Sequence, residues 1–463
     1  MLKTLYMKTL LDWSAYEDAG MGDAYADIPK TGGNFAKAVA VCINSKACES
    51  QNDKGVMCPS YRVTHDSHLS TGGRVRLLKA ALNGELGEFP FADPVLGRAM
   101  DLCVSCKGCK RECENEVDMA LIKVEYLAQL NEEEGVSLRS RLFAHTPVWL
   151  HRWPGLRRVI AWRNASKFLM MLGEKLLGIS ASRQLPVPAE EKLQVSKTQA
   201  IDNWDDIASS DVIPSTEGRE VVLLVDTFSR HFDPDIVAAA LAVLDAAGYR
   251  TLVAEPKQPG RPLCCGRTYL AQGMVAQAKA EAQRMIEALL PHAEAGRPII
   301  GLEPSCLLSL RDEYKALGLS EGAAKVAAQA LLFEEFIAKE HTAKTFRLKL
   351  KPLDQQVLVH GHCHQKAVGA MKSMRKVLKL IPGLSFDLLE SSCCGMAGSF
   401  GLEAEHTAVS WEMAGQTLLP ALRLAPHSLV LSNGFSCRQQ IREGDGRSSL
   451  HLAQLIRDAL SYE

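Results

Sequence analysis

The sequence predicts a mixed architecture, an α-helical N-terminal module followed by an α/β domain made of two repeats. Three observations carry this. The fourteen cysteines form two groups, seven from Cys42 to Cys113 and seven from Cys264 to Cys437, with a cysteine-free stretch between them. The first group lies among short helical patterns at 73–83 and 117–129, the latter ending in the acidic break 132–135. The second group lies on an order of strands, helices and cysteines that occurs twice.

In repeat one a buried-strand pattern at 221–226 runs into a helix, with Asp233 as N-cap, Pro234 in the first turn and Gly248 closing it. A strand at 251–254 leads to Cys264-Cys265-Gly266, and after a further helix a strand at 298–301 leads to Glu303 and Cys306. Repeat two follows the same order. A strand at 357–360 runs into Gly361-His362-Cys363-His364, a helix spans 368–380, a strand at 386–389 leads to Cys393-Cys394-Gly395, and a strand at 429–432 precedes Cys437. Ser229 falls in repeat one where Cys363 falls in repeat two. The cysteines then lie just past strand ends, where α/β sheets bind ligands. The expected divisions are an N-terminal extension at 1–36, the cysteine-rich helical module at 37–135, a basic helical segment and linker at 136–218, and repeats at 219–345 and 353–463.

Composition narrows the class. A chain of 463 residues that is 47% hydrophobic buries several real cores, and 53 basic against 54 acidic residues gives no general attraction for nucleic acid. The N-terminal stretch lacks the apolar core of a secretory signal, and no run reaches the roughly 18 apolar residues of a membrane span, so the expected location is cytoplasmic. In a reducing compartment fourteen cysteines mean metal or redox chemistry rather than disulfides.

Cys103-x2-Cys106-x2-Cys109-x3-Cys113 has the spacing of bacterial ferredoxins, in which three thiolates cap one cubane and the fourth reaches another cluster. Cys42, Cys48 and Cys58-Pro59 lie upstream. By that crossed rule Cys58, Cys103, Cys106 and Cys109 hold one [4Fe–4S] cluster, and Cys42, Cys48 and Cys113 hold a second. The second set is one cysteine short, so either another residue completes it or it is a three-iron cluster. Zinc is the alternative, but the x2-x2-x3 run is unlike paired zinc knuckles. The module is therefore expected to be a bis-[4Fe–4S] ferredoxin-like domain, with Glu114 where the ferredoxin pattern has proline.

Adjacent cysteines make strained disulfides, whereas two neighbouring thiolates can reach one metal assembly. Repeat two offers Cys363, Cys393, Cys394 and Cys437, and repeat one only Cys264, Cys265 and Cys306. A cluster, zinc or simply buried thiols are the readings for these sites. His362 and His364 flank a cysteine and suit metal binding, proton transfer or plain hydrogen bonding.

The Cys-Cys-Gly repeats, His362-Cys363-His364-Gln365 and the two-cluster module together resemble the iron–sulfur subunits of glycolate oxidase and of anaerobic glycerol-3-phosphate dehydrogenase and, more distantly, heterodisulfide reductase. Gly55-Val56-Met57-Cys58-Pro59, the run from Asp101 to Cys109 and Val117-Asp118-Met119 look closer to the C-terminal half of FAD-linked D-2-hydroxyacid dehydrogenases of the D-2-hydroxyglutarate and D-lactate type. The resemblance spans nearly the whole chain from about residue 37. It implies an electron relay whose FAD lies on a partner protein or domain, since no flavin or nicotinamide glycine fingerprint follows a strand here. The family's Cys-Cys-Gly domains carry noncubane clusters on five cysteines, one of them from a C-x2-C pair. Glu303 and Gly434 replace the first cysteine of that pair here.

From 138 to 183, nine basic residues (Arg139, Arg141, Arg152, Arg157, Arg158, Arg163, Lys167, Lys175 and Arg183) face one acid, Glu174, with Trp149, Trp153 and Trp162 interleaved. This suits an anionic membrane surface, near quinone. A solvated helical face or a docking surface for the partner protein is the alternative. The leading function is thus electron relay from a flavin-linked 2-hydroxyacid dehydrogenase. A thiol or disulfide reductase centred on repeat two and a zinc-organised scaffold are the competitors.

Overall fold

The computed structural model describes residues 7–20, 26–50, 55–190, 193 and 219–461. Among these, seven strands form two parallel sheets. β1 (Arg219–Leu224), β2 (Tyr249–Val253), β3 (Ile299–Gly301) and β4 (Ala330–Leu332) stand in the order β2-β1-β3-β4, and β5 (Gln356–Val359), β6 (Ser385–Leu388) and β7 (Leu429–Leu431) in the order β6-β5-β7. The repeat expected from the sequence is present, and β4 is a strand that the apolar pattern does not announce.

β1, β3, β5 and β7 read as apolar runs because both faces of these strands are covered, whereas the edge strand β6 alternates exposed and half-buried residues. Along β1, Val222 and Leu224 pack into one core while Val221, Leu223 and Val225 pack into another. In β5, Leu358 faces one core and Val357 and Val359 the other. The shared core joins the repeats. The Pro234–Ala246 helix of repeat one packs on Leu452–Asp458, and Phe333–Thr342 packs on Met371–Leu378. Pro234 opens its helix as expected, but the Asp233 carboxylate bonds Arg438 across the repeat interface instead of capping.

Three of the helices of the N-terminal module start on a side-chain cap. Ser70 Oγ accepts from Gly73 N at the start of Thr71–Leu82, Asp93 accepts from Val95 N and Leu96 N, and Asp118 accepts from Leu121 N at the start of Met119–Glu134. That last helix continues through the expected acidic break and stops at Gly135. Within the expected N-terminal extension, residues 10–13 pack on the Met119–Glu134 helix. Leu11 and Trp13 are buried, and the Glu125 carboxylate accepts from Leu10 N, Leu11 N and Trp13 Nε1.

The basic segment forms four helices, Leu138–Ala144, Thr146–Arg152, Leu156–Ala165 and Lys167–Leu177. Its charges divide into two groups. Arg139 pairs with Glu405, Arg163 donates to the carbonyls of Ser180 and Arg183, and buried Arg183 bonds Gln440 and Glu443 while stacking on Trp411. Arg152, Arg158, Lys167 and Lys175 stay exposed. Most of the expected linker, 194–217, lies outside the described residues.

His406 of repeat two clamps the N-terminal module. It bonds Asp101 at 2.6 Å and stacks on Phe400. Burial works against its charge, but Asp101 and Glu403 outweigh this and raise its pKa to about 9. A histidine raised above its ordinary 6.5 stabilises the fold fully below that value, and the contribution is lost as the pH rises through about 9. The thermal midpoint of the wild type should therefore fall more steeply than that of His406→Gln between pH of about 6.5 and about 9.5. Parallel profiles would refute the clamp.

Candidate functional site

Cys58, Cys103, Cys106 and Cys109 line one buried cavity, walled by Pro59, Thr71, Val104 and Met119. Two loops and two helix starts shape it. Cys58, Ser105 and Lys107 all take left-handed backbone conformations, with φ of 52°, 48° and 60°. Such non-glycine residues cost on the order of 1–3 kcal/mol each and persist where the surroundings fix them. Gly108 lets the loops meet, since a Cβ there would stand 2.7 Å from Met57 N. Backbone amides point at the sulfurs, Thr71 N at Cys58 Sγ (3.1 Å) and Gly108 N at Cys106 Sγ (3.5 Å). Burial pushes Cys106 well above the usual thiol range and Cys109 to about 12. Four sulfurs around one cavity, with N–H donors to sulfur, fit an iron–sulfur cluster, whose thiolates are stabilised by such bonds.

Cys42, Cys48 and Cys113 gather beside this set. Burial raises Cys42, with Cys48 and Cys113 close enough to add to the effect, and Gly72 N donates to Cys48 Sγ at 3.2 Å. Cys48 also lies against Cys58, whose sulfhydryl draws it down to about 6.

The Cys-Cys-Gly motif has a local reason. The glycine amide donates to the first sulfur, Gly266 N to Cys264 and Gly395 N to Cys393, both at 3.4 Å. Each glycine has positive φ, and a Cβ would collide with the carbonyl of Ala278 at 2.9 Å or of Ser410 at 2.2 Å. In repeat two the sulfurs run Cys363, Cys393, Cys394, Cys437, each against the next. The Cys393 sulfhydryl pulls Cys363 and Cys394 toward thiolate. Burial opposes a charge on His362, but the adjacent Cys363 thiolate raises it to about 8. Lys366, bonded to the Ser391 carbonyl at 2.5 Å, adds a second cation beside all four sulfurs. Repeat one brings Cys264, Cys265 and Cys306 together, with the Arg267 guanidinium beside them.

Strand register corrects one sequence alignment. Leu223 stands in its sheet where Val359 stands in the other, so Asp226 and His362, each the N-cap of the next helix, correspond. Thr227, not Ser229, occupies the place of Cys363. The Glu303 carboxylate accepts from Phe435 N of repeat two, pinning the repeats together.

The N-terminal and repeat-two sets touch. Val56 O accepts from both Cys106 Sγ (3.7 Å) and Ser392 Oγ (3.1 Å), and His364 Nε2 lies 3.1 Å from Ser105 O. Cys363 contributes to the raised value of Cys106. Sequence reading missed His360, which approaches Cys394 and Cys437 and sits at a strand end like the cysteines.

This fold and these sites define an iron–sulfur electron-transfer protein. The chain matches the 4Fe-4S dicluster domain at residues 38–117 and the cysteine-rich domain at 233–311 and 357–442, and so belongs among proteins that join the two. It is similar to D-2-hydroxyglutarate dehydrogenase of Escherichia coli, 22% identical over 90% of this chain and 43% of that protein. The glycolate oxidase iron-sulfur subunit of the same organism is 22% identical over 88% of this chain and 92% of its own length. One subunit of that organism's anaerobic glycerol-3-phosphate dehydrogenase is 26% identical over 52% of this chain and 59% of its own length. The chain spans less than half the length of the D-2-hydroxyglutarate dehydrogenases it matches. The expected oxidoreductase and electron-transport class therefore holds.

Cys58→Ser should remove about four irons and their sulfides per chain, while Cys42→Ser leaves that cluster's low-temperature spin resonance in place. If Cys42→Ser and Cys58→Ser abolish the same signal, the crossed assignment is wrong.

Proposed function

We propose that the chain relays electrons from an FAD-linked 2-hydroxyacid dehydrogenase, acting on D-lactate, glycolate or D-2-hydroxyglutarate, to an acceptor such as quinone. The carrying observation is the continuity of the cysteine sets. Cys48 lies against Cys58, and Cys106 shares the Val56 carbonyl with the loop that bears Cys393 and Cys394. Clusters held by Cys58, Cys103, Cys106 and Cys109 and by Cys42, Cys48 and Cys113 supply one-electron transfer when bound.

The chain's own residues seal and tune this path. Cys58, Cys103, Cys106 and Cys109 are buried, which keeps water from the sulfurs. Lys107, itself buried, meets Asp312 at 2.5 Å and Glu313 at 2.8 Å, and Lys110 meets Asp312 and Asp118. These fixed ion pairs set the field around the cavity. Substrate oxidation and flavin belong outside these residues, a placement supported by the 43% share of the longer relatives.

The outer faces of Leu156–Ala165 and Lys167–Leu177 support peripheral contact with an anionic membrane. Trp162, Phe168, Met171 and Leu176 are each about two-thirds exposed beside Arg158, Lys167 and Lys175, and no described helix is long and apolar enough to cross a bilayer. A second reading, a thiol or disulfide reductase in repeat two, is favoured by Cys363, the least buried sulfur of its set and one drawn toward thiolate.

Mixed anaerobically with a flavin-linked dehydrogenase of this group, the purified chain should be bleached in the visible by its hydroxyacid, and only when the flavoprotein is present. Oxidation of the hydroxyacid by the chain alone overturns the relay. Disulfide turnover that Cys394→Ser abolishes while the N-terminal clusters stay visible replaces it with the second reading.

A further inference from the structure

Repeat two contains a donor outside its cysteine pattern. His360 stands one residue beyond β5 and is 1% exposed. Its Nδ1 lies 2.9 Å from Ser391 Oγ, and its Nε2 is buried with no nitrogen or oxygen partner, the ring standing against the Cys394 sulfur. A ring nitrogen, Cys394 Sγ and Cys437 Sγ all lie within 4.8 Å of one another. A neutral imidazole that donates Nδ1–H to the Ser391 hydroxyl presents the Nε2 lone pair, the form and orientation in which histidine binds metals.

The donor count favours a cluster. Four sulfurs and one imidazole exceed the four positions of a tetrahedral zinc ion, whereas a polynuclear centre has room for a fifth ligand. A side chain at position 434 would have to displace the His362 ring, because a Cβ on Gly434 would stand 2.3 Å from His362 Cδ2. Repeat one offers no counterpart, since its strand register puts Leu224 in the place of His360.

We propose that His360, through Nε2, is a ligand of an iron–sulfur cluster that Cys363, Cys393, Cys394 and Cys437 hold in repeat two. This rests on reading repeat two as a site in the electron path. Exchanging a thiolate for a neutral imidazole removes one negative charge and raises the reduction potential, as in two-histidine [2Fe–2S] centres. Repeat two is then the electron-collecting end of the path, downstream of the all-cysteine N-terminal set.

The test uses the full chain, purified anaerobically, with only its histidines 15N-labelled. Pulsed spin resonance in the reduced and oxidised states should resolve a directly bonded 15N coupling, lost in His360→Ala and in His360→Asn while the N-terminal cluster signals persist. His360→Cys should keep the iron and sulfide content and lower the potential of one centre. No resolved 15N coupling, zinc in place of iron in repeat two, or unchanged iron and spectra in His360→Ala overturns the ligand. Loss of the N-terminal signals in unsubstituted protein overturns the relay instead, so the two failures are distinct.

Discussion

The carbonyl of Val56 holds the molecule's chemistry together. It comes from the loop that positions Cys58, lies 3.7 Å from Cys106 Sγ on one side and accepts from Ser392 Oγ on the other. The loop bearing the double cysteine of repeat two thus closes the wall of the N-terminal cavity. Three further contacts guard this junction: His364 on the Ser105 carbonyl, His406 on Asp101, and Gly108 packed against Met57 without room for a Cβ. The N-terminal module and the repeats form one core where Cys58, Cys109 and Cys265 pack among the same apolar residues.

A buried set of sulfurs creates an electrostatic problem, because thiolates lose their hydration in a low-dielectric interior. The chain answers with amide donors and cations. Thr71, Gly72, Gly108, Gly266 and Gly395 each direct an N–H at a sulfur, while Lys107 and His362 supply buried positive groups and Arg267 and Lys366 half-buried ones. The cations are themselves held by fixed partners. Arg267 and Lys107 both meet Glu313, and Lys366 is anchored on Ser391. Glu334, which burial raises to about 7, braces repeat two by accepting from Gln365 and Asn433.

Much of this is legible in the sequence, for identifiable reasons. Cysteine spacing is local, so the ferredoxin-like run and the Cys-Cys-Gly repeats are visible directly. Strands buried on both faces leave unbroken apolar runs, and β1, β3, β5 and β7 lie within a few residues of their expected places. What escapes depends on contacts distant in sequence. β4 lies directly between the helices Gly322–Gln329 and Phe333–Thr342, so its apolar residues merge with theirs, and the role of Leu11 and Trp13 depends on Glu125 more than a hundred positions away. Ser229 aligns with Cys363 only because loop lengths differ between repeats, and hydrogen-bond register identifies Thr227 instead. His360 reads as one more strand-end histidine until a ring nitrogen is placed within 4.8 Å of two sulfurs. The basic segment reads as a uniform charge run, whereas Arg163 and Arg183 are internal braces and its outer face mixes exposed apolar side chains with Arg158, Lys167 and Lys175.

The central claim is a continuous path from the Cys42 set through the Cys58 set to repeat two. Spin resonance of the fully reduced chain measures it most directly, because paramagnetic centres held by cysteine sets this close would split one another's signals. The account predicts interaction-split spectra that collapse to isolated signals in Cys58→Ser, which removes the middle of the path. Independent, unsplit signals in the intact protein, unaltered in line shape by that substitution, would contradict it.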